Sequence, residues 1–309
     1  MLKHYYDNCT FCPRNCGINR NEGETGYCGE TADLRISVAA VHYGEEPPLI
    51  GTGGSGTIFV GGCNLGCVFC QCHQVSHGVG KEPPLSKIVS AREFARLCIA
   101  LRDAGAENIN IVTGSHAVPA IIEGFIAARK AGVQIPFLWN SSGYDSREAL
   151  ELLKDHIDIY LPDLKTTDTG LAKKFFNAPD YPAVAKAAIL KMIDNAQKPK
   201  VIVRHLILPG YLESTRLVLQ WFAENIKERA LLSLMTQYTP VPGKEKVAPK
   251  RYVIKEEYET VMNWLEEYQI KDGFFQELLT GNEWLPDFKR ENPFPAKIAA
   301  PVWSSIGTD

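Results

Sequence analysis

The stretch Gly61-Gly62-Cys63-Asn64-Leu65-Gly66-Cys67-Val68-Phe69-Cys70 decides how this chain is read. Its cysteines have the spacing C-x3-C-x2-C, three thiols in one short loop that also carries three glycines. A closed structural metal site normally takes four protein ligands, whereas three thiolates can hold three irons of a cubane cluster and leave the fourth iron open. Upstream, residues 57–60 (Thr-Ile-Phe-Val) read as a buried β-branched and aromatic strand, so the thiols follow a strand end. A zinc knuckle or a set of reduced, buried thiols is the bland alternative.

Working outward, the chain alternates apolar strand, polar loop and amphipathic helix. Strands are expected at 57–60, 108–112, 135–139, 157–161, 201–207 and 231–238. Helix starts are signalled by Ser90 with Glu93 three residues on, by Ser146, and by Ser214 ahead of an apolar run to Asn225. Strands alternating with helices imply parallel pairing through right-handed crossovers. Six units do not complete an eight-stranded barrel, so the expected fold is α/β, an incomplete (β/α)6 barrel. Its segments are a small N-terminal cysteine-rich metal-binding segment (1–50), the partial barrel (51–245) and a C-terminal helix with a wrapping tail (246–309).

The signature loop, with aromatic Phe69 just before the third cysteine, resembles that of the radical SAM superfamily. The resemblance implies that Cys63, Cys67 and Cys70 hold a [4Fe-4S] cluster, and that S-adenosylmethionine (SAM) on its open iron is cleaved to a 5'-deoxyadenosyl radical. The runs 12–16, 51–56, 62–71, 108–113, 140–144, 160–165, 204–210 and 235–240 are similar to those of pyruvate formate-lyase activating enzymes and their relatives. That subgroup implies hydrogen abstraction from a protein or peptide, including the glycine of a glycyl-radical enzyme, and a reducing donor such as flavodoxin or ferredoxin. A radical SAM enzyme acting on a small molecule and a non-catalytic iron–sulfur or zinc protein are the competing readings. Where activating enzymes carry Gly-Gly-Glu, this chain has Gly114-Ser115-His116.

In a parallel barrel the site lies at the carboxyl ends of the strands. Acceptors, donors and hydroxyls for SAM are therefore sought at Gly114, Ser115, Asn140, Ser141, Asp163, Lys165, Arg204, His205 and Gln237, alongside Phe69. Lys165 or Arg204 suits a carboxylate because both are reliably cationic. Successive strand residues face opposite ways, so only one of Arg204 and His205 can point inward; His205 is expected inside, near the ribose, with Arg204 reaching a neighbouring element.

A second cluster, Cys9-x2-Cys12-x3-Cys16-x11-Cys28, lies in a polar, glycine-bearing segment that has little core of its own, so a metal would supply folding energy. Zinc and a second iron–sulfur cluster both fit. Cys72 is the one catalytic candidate. A neighbouring structural thiol is its first reading, and hydrogen-atom donation or substrate binding its second. Cys98, alone in an apolar helical run, reads as inert core, and His4, His42 and His77 have no evident partner.

With 45% hydrophobic and 22% charged residues, the 309-residue chain is long enough for one large domain with a small attachment. A net charge of -3 argues against a broad nucleic-acid footprint. The start has no apolar stretch of signal-peptide length and no segment approaches a membrane span, so a cytoplasmic protein is expected. Eight of nine cysteines fall before residue 73, which fits metal chemistry better than disulfides. Gly51, Gly53 and Gly56 match G-x-G-x-x-G but precede a strand, so they read as a loop, and Asn140-Ser141-Ser142 is no glycosylation site in a reducing compartment. The stretch 255–269 reads as a helix, 273–279 as a last strand or brace, and the proline-rich end as ordered coil over the barrel.

Overall fold

The computed structural model describes residues 2–76, 85–196 and 200–307; His77 lies outside them. In chain order the elements are β1 (Arg35–His42), α1 (Pro47–Ile50), β2 (Ser55–Val60), α2 (His73–Ser76), β3 (Lys87–Ile88), α3 (Ala91–Asp103), β4 (Ile109–Val112), α4 (Val118–Lys130), β5 (Phe137–Ser141) and α5 (Arg147–Leu153). They continue with β6 (Ile159–Pro162), α6 (Thr169–Phe176), α7 (Tyr181–Asn195), β7 (Ile202–Leu206), α8 (Leu212–Asn225), β8 (Leu231–Met235), α9 (Lys255–Glu267), β9 (Gly273–Phe275) and β10 (Ala299–Ser304).

Strands β2, β4, β5 and β6 pair in parallel, and β7, β8 and β9 do the same. Single bridges at Tyr160–Val201 and Asp163–Arg204 join the two groups into one arc. The incomplete (β/α)6 barrel expected from the sequence is therefore present, and β9 adds a short seventh strand. Two antiparallel strands that the sequence reading left unassigned extend the arc beyond β2: β1 pairs β2, and β10 pairs β1. The sheet thus runs across residue 50, and the N-terminal segment shares the barrel's hydrogen-bond ladder.

Strands β2, β4, β5, β6, β7 and β8 are largely buried on both faces, as parallel sheets require, while β9 is half-buried. Outward side chains such as Ile58, Ile111, Trp139, Val203 and Leu234 pack in the main core with the helices. Inward residues Leu138, Leu161 and Ile202 pack instead around Leu49 of α1. That short helix plugs the amino ends of the strands, where Asn108 Nδ2 donates to the Leu49 carbonyl at 2.6 Å. Burying Leu49 contributes about 2 kcal/mol. The capping box at Ser90 forms, with Ser90 N donating to Glu93 Oε2 at 2.8 Å, and Ser146 caps α5 by accepting from Ala149 N at 3.0 Å. Cys98 is fully buried in α3, as core. No helix among the described residues is long and apolar enough to cross a membrane.

Candidate active site

The signature loop leaves the carboxyl end of β2. It turns at Gly62 (φ 77°) and Gly66 (φ 75°), conformations that L side chains rarely adopt. A Cβ on Gly62 would also stand 2.9 Å from the Cys28 carbonyl, so the glycine permits close approach of the N-terminal segment. The loop is fastened from several sides. Gly62 N donates to the Val75 carbonyl at 2.9 Å, Val68 N to Phe175 O at 2.9 Å, and Asn64 Nδ2 to Tyr144 O at 2.8 Å. Arg14, sited between Cys12 and Cys16, makes the largest contribution. Its guanidinium donates to the carbonyls of Asn64 (2.7 Å), Leu65 (2.8 Å), Phe176 (2.9 Å) and Asn177 (2.7 Å).

Cys63 is buried, while Cys67 and Cys70 are half-buried, so the triad presents one side to the barrel mouth. Leu65 N donates to Cys63 Sγ at 3.3 Å and Ser76 Oγ to Cys70 Sγ at 3.6 Å. Burial pushes all three thiols up, and the Lys165 charge opposes it at each. Lys165 is paired with Asp163 (Nζ to Oδ2, 2.5 Å). Burial works against its charge, but Asp163 with Cys67 and Tyr181 outweighs it and holds the ammonium protonated. Three thiols with a fixed cation beside them fit a cubane held at three irons, since the lysine offsets the negative charge that thiolate ligation creates. Among the described residues no three His, Cys, Asp or Glu side chains are already arranged to clasp a single metal ion.

Beside the signature loop the mouth holds a cavity of about 140 Å³, lined by Phe59, Gln71, Cys72, Asn140, Arg204 and Gln237 together with the apolar Trp284, Pro286 and Phe294. Asn140, Arg204 and Gln237 line this cavity, and Asp163 and Lys165 stand beside the thiols. Cys72 also faces this space, and its thiol is pushed well up by burial and by Cys70 and Cys63. A larger groove, about 570 Å³, lies outside the barrel between α5 and α7 beside Pro13. The strand-end rule places chemistry at the mouth.

The assignment at β7 is reversed. Arg204 points inward, donating from Nε to Glu46 Oε1 at 2.8 Å and from Nη2 to Glu45 Oε2 at 2.5 Å. His205 points outward; its ring nitrogens meet Leu164 O at 2.7 Å and Thr215 Oγ1 of α8 at 3.0 Å. The buried guanidinium needs carboxylates, which only the interior supplies, whereas a neutral imidazole is satisfied by a carbonyl and a hydroxyl. Burial lowers the His205 pKa to about 4, keeping it uncharged.

Four other candidates pack into their surroundings instead of lining the cavity. Ser141 Oγ donates to Asp145 Oδ2 at 2.5 Å and accepts from Gly143 N, so it builds the turn behind β5. Ser115, 1% exposed, also lies against Asp145, whose carboxyl is raised by burial and held down by Ser141, Ser115 and Trp139. Gly114 packs its backbone on Trp139 and Ile121, where a Cβ would stand within 2.7 Å of either side chain. Phe69 is buried in edge-to-face contact with Phe175 (5.5 Å), Phe176 (5.9 Å) and Tyr238 (6.1 Å).

The sequence reading missed Glu45, Glu46 and Asn110. Asn110 sits fully buried one layer below the mouth on β4, its amide without a hydrogen-bond partner among the described residues. An asparagine between isoleucines in a strand was the available signal.

A partial parallel barrel with three thiols at its first strand end and a polar mouth above them defines an iron–sulfur barrel class. The chain belongs to the Radical SAM superfamily, whose sequence pattern matches residues 57–221. It is 30% identical over 274 residues to the uncharacterised protein MJ0674 of Methanocaldococcus jannaschii, covering 87% of this chain and 78% of that one. Among solved structures, SuiB of Streptococcus suis bound to precursor peptide SuiA matches at TM-score 0.52 and 16% identity, over 70% of this chain and 46% of that one. HydG, a maturase of the [FeFe]-hydrogenase, also matches at TM-score 0.52, with 13% identity over 72% and 51%. The chain spans about half the length of these two structures, and the likeness is one of fold.

Proposed function

We propose that this radical SAM enzyme abstracts hydrogen from a protein or peptide. The observation that carries the radical SAM chemistry is the three-thiol loop opening on the mouth of the barrel. With cluster and SAM bound, the chemistry supplied is reductive cleavage of SAM to a 5'-deoxyadenosyl radical that takes a hydrogen atom from the substrate. Cys63, Cys67 and Cys70 hold the cluster, and Lys165 offsets its charge. Lys165, one-fifth exposed, is better placed than Arg204 for the SAM carboxylate, because Arg204 is already matched by two glutamates. Glu45, at the cavity wall, is an acceptor for the SAM ammonium. A flavodoxin or ferredoxin supplies the electron.

The open arc supports a protein or peptide substrate, since β9 is only three residues long and does not pair with β10. An activating enzyme of the pyruvate formate-lyase type, acting on a glycyl-radical enzyme, is the narrowest form of this reading. One observation favours a small molecule instead: Trp284, Pro286 and Phe294 add apolar walls that narrow the mouth.

The test is 5'-deoxyadenosine release from SAM by the anaerobic, reduced protein beside a Cys63→Ala/Cys67→Ala/Cys70→Ala variant. Release by the parent protein alone is expected; equal release by both, or none from a cluster-loaded parent given reductant and candidate peptides, overturns the proposal. Deuterium reaching deoxyadenosine from labelled metabolites but from no protein or peptide would select the small-molecule reading.

A further inference from the structure

The four N-terminal thiols form a site of their own. Turns fold the segment back on itself, with Cys9 N donating to Ile18 O at 2.8 Å, Gly17 N to Cys9 O at 3.0 Å and Asn15 N to Cys12 O at 3.0 Å. Cys9, Cys12, Cys16 and Cys28 thereby line one cavity, together with Arg20 and His116. Cys9, Cys12 and Cys28 are buried and Cys16 is half-buried.

The room between the sulfurs bears on what they hold. A zinc ion draws four thiolates to about 2.3 Å, whereas among the described residues no three of these thiols are arranged to clasp a single ion. A cluster keeps its cysteine sulfurs farther apart, because irons and sulfides stand between them.

Arg20 is the second, independent observation. It is 2% exposed, lies over the Tyr6 ring at 4.3 Å and feels the buried Glu30 carboxylate, with no carboxylate within ion-pair distance among the described residues. Its guanidinium donates to the Thr31 and His116 carbonyls and lies 4.0 Å from Cys9 Sγ. Beside the Cys9 sulfur this buried cation is placed to offset the negative charge that metal-bound thiolates would add, a charge neutral thiols lack.

We propose that Cys9, Cys12, Cys16 and Cys28 hold a second iron–sulfur cluster. Tyr27, like Arg14, links it to the signature loop. The Tyr27 N–H donates to Cys16 Sγ at 3.4 Å, and its hydroxyl donates to the Leu65 carbonyl at 3.4 Å.

The experiment is iron, sulfide and zinc analysis of protein isolated anaerobically, with no metal added afterwards. The parent chain is expected to carry about eight irons, and the Cys63→Ala/Cys67→Ala/Cys70→Ala variant to keep about four together with visible thiolate-to-iron absorption. About one zinc per chain, or a variant that folds but carries no iron, overturns the proposal. If the triple variant does not fold, the parent still decides: about four irons with or without one zinc overturns it, and about eight irons without zinc supports it. These readouts involve no SAM cleavage, so they stand or fall apart from the proposed activity.

Discussion

His205 and Arg204 adjoin in β7, yet one is turned to a helix and the other to the barrel interior. In a parallel strand buried on both faces, Val201-Ile-Val-Arg-His-Leu-Ile carries no polar–apolar alternation to say which side is in. What fixes the choice is Glu46, 158 positions away from Arg204 in the chain, and no local pattern reveals such a partner. The three signature thiols were legible because their spacing is itself local. The His205 ring, at about 4 when folded and about 6.5 when unfolded, binds more protons in the unfolded state between those values. Stability is therefore full above about pH 6.5 and is lost as pH falls toward 4, by about 3 kcal/mol in total. Urea unfolding across this range should show a shallower acid slope in His205→Asn; an unchanged slope would count against the assignment. Arg204→Met leaves Glu45 and Glu46 buried without their cation and should cost about 3–5 kcal/mol by the same measurement. Adding Glu46→Gln should recover part of the loss.

At the scale of elements, six strands were visible because short β-branched runs alternate with helices whose starts are marked by Ser90 and Ser146. Three strands were not: the two-residue β3, and the longer β1 and β10. β10 contains Pro301, which argues against a strand, and it is accommodated at an edge where β1 shifts register between Ala39 and Ala40. β1 lies in a segment whose cysteines dominate the reading. The signature loop depends on an element with no secondary structure at all, the Arg14 turn, whose guanidinium gathers four carbonyls from two places. Lysine keeps the charge but lacks the planar fork. In Arg14→Lys we expect faster amide exchange at 64–68 and about tenfold less 5'-deoxyadenosine release, equivalent to about 1.4 kcal/mol. Unchanged exchange and unchanged release would show that the remaining bonds suffice.

Across the whole molecule, the residues after β9 close the structure over the mouth. Phe288 is buried against Phe59 (5.4 Å) and Phe294 (6.3 Å), and Gln74 ties the segment to the signature region by donating to Asp287 and accepting from Phe288 N. Phe288→Ala should therefore cost about 3–5 kcal/mol in thermal or urea unfolding, more than a surface strap would. The sequence reading recognised a wrapping coil there but not its anchor points, which exist only once β2 and the coil meet. β10 covers β1, and β1 covers the first barrel strand, so an edge made before the barrel strands is sealed by residues 299–304, made after them. Until those residues leave the ribosome, β1 offers an unpaired ladder to any other nascent chain. A translation product halted before residue 299 would thus keep an unpaired flank along β1.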